Sequence, residues 1–264
     1  MGDLPSRHDD LKLHLRVLGE DHELSARARI GQAKLLEVLP LARQLADGIT
    51  GIAIEKERAE GRPISCKKGC TWCCHQLVPL APAEAVRLAE VVEAMPREQR
   101  RAVKKRFEKV VALMEKAGLI DREAPPGRAE LLSAAAGVSA QWDDASRRYY
   151  EGKIACPFLE GGACSVYAER PMVCREYYVT TPVALCEALA KGIRSVPRPV
   201  RMSEAVTDLT NEALGRDDMA IPLPLALEWA GVNGEAFEGE GDGEELAMGL
   251  VRAIQAADDA ETAG

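Results

Sequence analysis

Apolar positions recur every three to four residues through most of the chain, which predicts a helical protein. Over residues 24–60 the series Leu35, Leu39, Ala42, Leu45, Ile49 and Ile52 has helical spacing. Pro40 and the Gly48/Gly51 pair predict an interruption or bend within it. Gly61-Arg62-Pro63 closes this segment. After a short extended stretch over 75–80, Pro82 opens a helix reaching residue 95, with Leu88, Val91, Val92 and Met95 on one face, and Pro96 breaks it. Residues 97–117 carry the clearest pattern, a core-facing stripe of Val103, Phe107, Val110, Val111 and Met114.

Leu131, Ala135, Val138, Trp142, Ala145 and Tyr149 predict a further helix over 128–152, after a linker over 121–127. Shorter helices are expected over 182–194 and 203–214, with the proline pairs 197/199 and 222/224 marking loops. Residues 1–22 are charged and weakly periodic and are expected to form a loose N-terminal arm. Residues 23–231 would then be a helical metal-binding domain, and 232–264 an acidic linker followed by an amphipathic tail over 244–257. There is no βαβ alternation and no repeat of 20–50 residues. The expected class is mainly α, an irregular helical domain in which two Cys-rich loop segments converge on a metal site. Leu88, Val92, Phe107, Val111, Leu131, Trp142 and Tyr149 are the expected core.

Composition narrows the setting. The 264 residues are 47% hydrophobic and 29% charged, enough apolar material to bury a core and too much for global disorder. No stretch approaches the ~18 apolar residues of a membrane span. The first twenty residues hold Arg7, Asp9, Asp10, Lys12, Arg16 and Glu20 and lack the apolar region of a secretory signal, so a cytoplasmic location is expected. The net charge of −8 sits in the tail: residues 232–264 hold nine acids and one base, Arg252, while the rest balances at 33 of each sign. Such a tail is expected to serve solubility.

The eight cysteines all lie between 66 and 186, in two groups. The first is Cys66, Cys70, Cys73 and Cys74, in the run CKKGCTWCC; the second is Cys156, Cys164 and Cys174, with Cys186 beyond it on an apolar helical pattern. Cysteines two or three residues apart can wrap one tetrahedral ion, and Gly69 frees the backbone for the required turn. Cys73 and Cys74 are adjacent, and neighbouring side chains diverge. That leaves two metals, a bridging thiolate, or one of the pair outside the site. The second group is spaced too loosely to close a site alone and makes sense as ligands to the site the first begins. Such a clip would close a loop of about eighty residues and link metal binding to folding. Lys67, Lys68, Arg170 and Arg175 flank the cysteines, where they could offset thiolate charge. His75 is left outside the ligand set.

At these residues the sequence resembles the YkgJ-type cysteine-cluster family, whose members are described as zinc- or iron-chelating and which is named for a CxxCxxCC motif. The matching stretches are CKKGCTWCC (66–74), CPFL (156–159), GGACSVYAERPMVCREY (161–177) and, more weakly, Cys186. The first spacer here is three residues rather than two, which zinc and iron–sulfur sites both tolerate. The resemblance implies a metal-binding core carrying Cys66, Cys70, Cys73, Cys74, Cys156, Cys164 and Cys174. A flagellin lysine N-methylase is similar through the same region, which keeps a methyltransferase or a redox enzyme as the alternative to a non-enzymatic chelator.

Thiolates suit zinc and iron–sulfur clusters alike, so the cofactor is one or the other. Cys156-Pro157 echoes ferredoxin ligation. No Gly-rich strand-to-helix turn, Ser/His/Asp nucleophile signature or HExxH pattern is present. Catalytic and organic-cofactor residues therefore stay unassigned, and the metal ion is the expected partner. Arg97, Arg100, Arg101, Lys104, Lys105, Arg106 and Lys109 make one helix basic, but the neutral body and 4% aromatic content argue against a nucleic-acid partner. Trp72 is expected to shield the metal.

Overall fold

The computed structural model describes residues 7–122, 128, 131, 140–216 and 219–262, the last seven as backbone only. The chain opens with an antiparallel hairpin, β1 (Arg7–Val17) and β2 (Glu20–Ile30), paired from Arg7 opposite Ile30 to Val17 opposite Glu20. This replaces the loose arm expected over 1–22 and the helix expected from residue 24. Leu11, Leu13, Leu15 and Val17 alternate with polar residues, as do Leu24, Ala26, Ala28 and Ile30. A period of two puts one face of each strand against the core, where Leu15, Val17, Ala26, Ala28 and Ile30 are buried.

A short strand, β3 (Gln32–Lys34), leads through a 3₁₀ turn into α1 (Leu39–Ala59). Pro40 lies in the first turn of α1, where its missing N–H costs nothing, so it starts the helix instead of bending it. The helix then runs through both glycines and buries Leu41, Leu45 and Ile49. At its C-terminus the buried Glu57 carboxylate holds both Nε and Nη2 of Arg62 and keeps its pKa below the ordinary carboxylate value, chiefly through that hydrogen bond.

β4 (Pro79–Leu80), α2 (Pro82–Glu93) and α3 (Arg97–Lys116) follow. The stripe on α3 faces inward as its spacing requires: Val103, Phe107, Val110 and Met114 are buried, and Val111 is partly so. Arg128 and Leu131 are buried, residues 132–139 lie outside the described residues, and α4 spans Ala140–Glu151. Trp142 packs partly buried against the core and Tyr149 is fully buried.

Past the second cysteine group come β5 (Leu159–Glu160), β6 (Ala163–Cys164), α5 (Met172–Glu176), α6 (Val183–Glu187) and α7 (Met202–Leu214). The helix expected over 182–194 thus stops at Glu187, and Leu189 and Gly192 take positive φ beyond it. β7 (Ile221–Pro222) pairs with β4, and α8 (Ala226–Asn233) packs on α2. β8 (Glu240–Asp242) pairs with β3, and α9 (Gly243–Thr262) lies against α7 and β2, burying Ala247, Leu250 and Ile254. The acidic C-terminal segment is therefore packed onto the body through an apolar face. The architecture is mainly α, with little sheet. Among the described residues no helix is long and apolar enough to cross a membrane.

Candidate metal centre

The first cysteine segment is hung from the second at its very start. Ser65 donates its N–H to the carbonyl of Val179 (2.8 Å) and its hydroxyl to that of Thr180 (3.1 Å), while the N–H of Val179 donates to Cys66 Sγ at 3.4 Å. Gly69 has φ +89°, the left-handed conformation its place between Cys66 and Cys70 demands, and Cys70 N–H closes the turn on Lys67 at 2.9 Å. A 3₁₀ turn, Trp72–His75, then carries Cys73 and Cys74.

The other cysteines sit on short, well-anchored pieces. Gly161 and Gly162, both at positive φ, form the two-residue turn between β5 and β6 that places Cys164 opposite Leu159. Phe158 is buried edge-on against Phe107 with ring centroids 5.1 Å apart, and Arg106 donates to Pro157 O at 2.7 Å, so α3 holds the strand that follows Cys156. Cys174 lies on α5, whose first N–H, at Met172, donates to the buried Glu84 carboxylate at 2.8 Å. Cys186 lies on α6, against the 3₁₀ turn of Cys73 and Cys74, and its carbonyl accepts from the Tyr150 hydroxyl at 2.5 Å.

The two groups meet. Cys156 N–H donates to Cys74 O across 2.7 Å, joining residues 82 positions apart. The thiols interact electrostatically in two overlapping sets. Cys66 feels Cys70, Cys73 and Cys186, and Cys186 feels Cys70 and Cys73; Cys174 feels Cys156, Cys164 and Cys73, and Cys156 feels Cys164 and Cys73. Cys73, the exposed member, belongs to both sets and is hydrogen-bonded to Cys74. None of the eight is in a disulfide. Among the described residues no three His, Cys, Asp or Glu side chains are already arranged to hold a metal ion, so the thiols are gathered without being set at ligating positions.

Their electrostatics run one way. Burial pushes the thiols of Cys66, Cys164, Cys174 and Cys186 up, and that of Cys156 up to about 12; Cys73 is raised first by its bond to Cys74. Neighbouring thiols add to each shift. Against this, backbone N–H groups lower Cys66 and Cys164, and the Arg170 guanidinium also lowers Cys164. A crowded set of half-buried thiols is an unfavourable place for several thiolates and a favourable one for a thiophilic cation among them. The donor set fits a metal or cluster.

Of the flanking bases, Lys67 and Lys68 are exposed. Arg175 is buried and bonded to both oxygens of Asp47 and to the carbonyls of Arg170 and Ala168. Trp72 is half-buried and tilted against His75, whose Nδ1 lies 3.1 Å from Thr71 O. Sequence reasoning did not single out Glu84 or Tyr177. Glu84 sits at the third residue of a helix opening on Pro82 and accepts from Ala81 N–H at 3.1 Å, so its capping signal was present. Tyr177, whose hydroxyl feels Cys186, Cys73 and Cys66, carries no signal beyond its neighbourhood.

Residues 65–192 match the model of the CxxCxxCC family, described as a "Putative zinc- or iron-chelating domain". No curated protein and no solved structure matches the chain.

Proposed function

We propose that the protein is a cytoplasmic metal-binding protein whose cysteines chelate zinc or an iron–sulfur cluster, the centre fastening the 66–74 segment to the 156–186 segment. The observation that carries this reading is the backbone hydrogen bond from Cys156 to Cys74, which brings the two cysteine segments together, supported by the influence of Cys73 on thiols of both segments. Cys66, Cys70 and Cys186 with Cys73, and Cys156, Cys164 and Cys174 with Cys73 or Cys74, are the ligand groups this division favours. Seven or eight thiols can serve two zinc ions, a bridged pair, or one cluster with thiols to spare. A bound zinc would supply thiolate-neutralising charge and a structural clip; a cluster would supply electron transfer.

The chain's own residues do the positioning. Val179 and Val166 N–H groups bond sulfurs of the two sets, Glu84 orients α5 under Cys174, and Phe158 seals the strand beside Cys156. No geometry favours the methyltransferase or redox-enzyme alternative over this one. Purification without oxygen, an ultraviolet–visible spectrum and elemental analysis test the proposal. A brown sample containing sulfide means a cluster, and a colourless one with stoichiometric zinc means zinc. Protein that takes up neither, even after anaerobic reconstitution with zinc or with iron and sulfide, overturns it.

A further inference from the structure

An open cleft of about 770 Å³ lies outside the thiol cluster, between α1, the first half of α2 and the segment 167–178. Its walls carry four guanidinium groups, Arg43, Arg87, Arg170 and Arg175, against two carboxylates, Asp47 and Glu169. The carboxylates are already shared out. Glu169 Oε2 takes Arg43 Nη1 at 2.5 Å and Arg87 Nε at 3.1 Å, and Asp47 takes Arg175 through both oxygens at 3.0 and 2.8 Å. Glu84 stands behind the wall, where burial pushes its carboxyl toward the neutral form and it accepts from backbone N–H groups.

Arg170 is left over. It is 9% exposed and, among the described residues, has no carboxylate partner. One Nη2 donates to the Tyr178 hydroxyl at 3.2 Å, and its flat face lies 4.0 Å from the centre of the Tyr167 ring. Among the described residues that guanidinium makes no other hydrogen bond, and its remaining donors are not shut off from solvent. Arg43 Nε is buried without an acceptor, and burial and the nearby Arg175 both weaken the hold of Arg43 on its charge. A buried guanidinium without a counter-ion is costly unless an anion completes it. Arg87 also pairs with Glu90 at 3.0 Å, so the four arginines outnumber their carboxylates by one and the wall favours an anion. A guanidinium fork beside a tyrosine hydroxyl suits the tetrahedral oxygens of a phosphate.

We propose that this cleft binds a small phosphomonoester, with the phosphate held by the Arg170 guanidinium at the Tyr178 hydroxyl. The cleft volume is that of a metabolite-sized ligand and too polar for an apolar one. No cysteine lines the cleft, so the inference does not rest on the metal reading, although Arg170 also acts on the Cys164 thiol.

Calorimetric titration of the full chain with phenyl phosphate, inorganic phosphate and succinate, with ³¹P spectra of the phosphates, tests it. Saturable binding of phenyl phosphate and inorganic phosphate, both tighter than succinate, is expected. Arg170→Gln should weaken phenyl phosphate by at least about tenfold, the worth of a charge-assisted hydrogen bond. Tyr178→Phe and Arg87→Gln, which disturb less of the packing, should each weaken it too. Metal content should be unchanged in Arg87→Gln, whose side chain acts on no thiol, and this separates the site from the thiol centre. Absence of saturable phosphate binding, a preference for succinate, or affinity unmoved in all three variants overturns the proposal.

Discussion

The backbone N–H of Cys156 donates to the carbonyl of Cys74 across 2.7 Å, so the end of the first thiol segment and the start of the second share a hydrogen bond. If a metal centre also spans them, removing it should release both together. A ligand held a thousandfold below its working concentration contributes about 4 kcal/mol, roughly 10 °C in melting temperature for a chain of this size. Incubation with a strong chelator should lower the melting temperature by about that amount and expose the amides of 66–74 and 156–174 to hydrogen exchange in concert. Cys70→Ser should do the same without chelator. Full thermal stability in that variant would contradict the clip.

Glu84 joins two helices end to end. One oxygen accepts from Ala81 at the start of α2, the other from Met172 at the start of α5. Glu84→Ala leaves two buried N–H groups without acceptors, each costing about 1–3 kcal/mol. A loss of about 3 kcal/mol in urea unfolding is expected, with α5 and Cys174 the first region to lose exchange protection. A loss below 1 kcal/mol would mean that water replaces the carboxylate at both groups.

Phe158 is 1% exposed and meets Phe107 edge-to-face. Phe158→Ala opens a cavity between α3 and the strand after Cys156, at a cost of about 3–5 kcal/mol. Phe158→Leu, which fills most of that volume, should recover more than half of it. Chemical denaturation of the two variants reads the difference. Equal losses would place the effect in the turn itself and not in the cavity.

The helices of the body were legible because each buries one stripe at helical spacing: Val103, Phe107, Val110 and Met114 on α3, and Leu88 and Val92 on α2, fall where the periodicity puts them. The amphipathic segment expected over 244–257 is likewise part of α9. The hairpin is legible only in the period-two alternation of Leu11–Val17, because its charged outward positions give the segment the composition of an exposed arm. The short helix at Cys186 ends early because Leu189 and Gly192 leave the helical region, a backbone event that hydrophobic spacing does not encode. The cysteines named themselves by type and spacing. That the two groups touch at Cys74 and Cys156 depends on long-range packing through Phe158, Glu84 and Ser65, which no local pattern records.

The Glu57–Arg62 pair, which stands just before the first cysteines, makes a prediction about acid stability. The hydrogen bond from Arg62 holds the folded-state pKa of the Glu57 carboxyl below its ordinary value of 4.5. A lowered carboxylate pKa means that the folded chain binds fewer protons than the unfolded one as pH falls through this range. The stabilisation is thus fully present above about pH 4.5 and is lost as pH drops through the folded-state value. Arg62→Gln removes the cause and leaves Glu57 buried without its partner. It should therefore cost most at pH 7, and the gap to the parent protein should narrow as pH falls from 4.5 through the parent's lowered folded-state value, below which Glu57 is protonated in both. Urea unfolding of the two proteins at pH 7, 5 and 3.5 reads that gap. A gap that stays constant across the three would show that Arg62 acts through packing and not through the charge of Glu57.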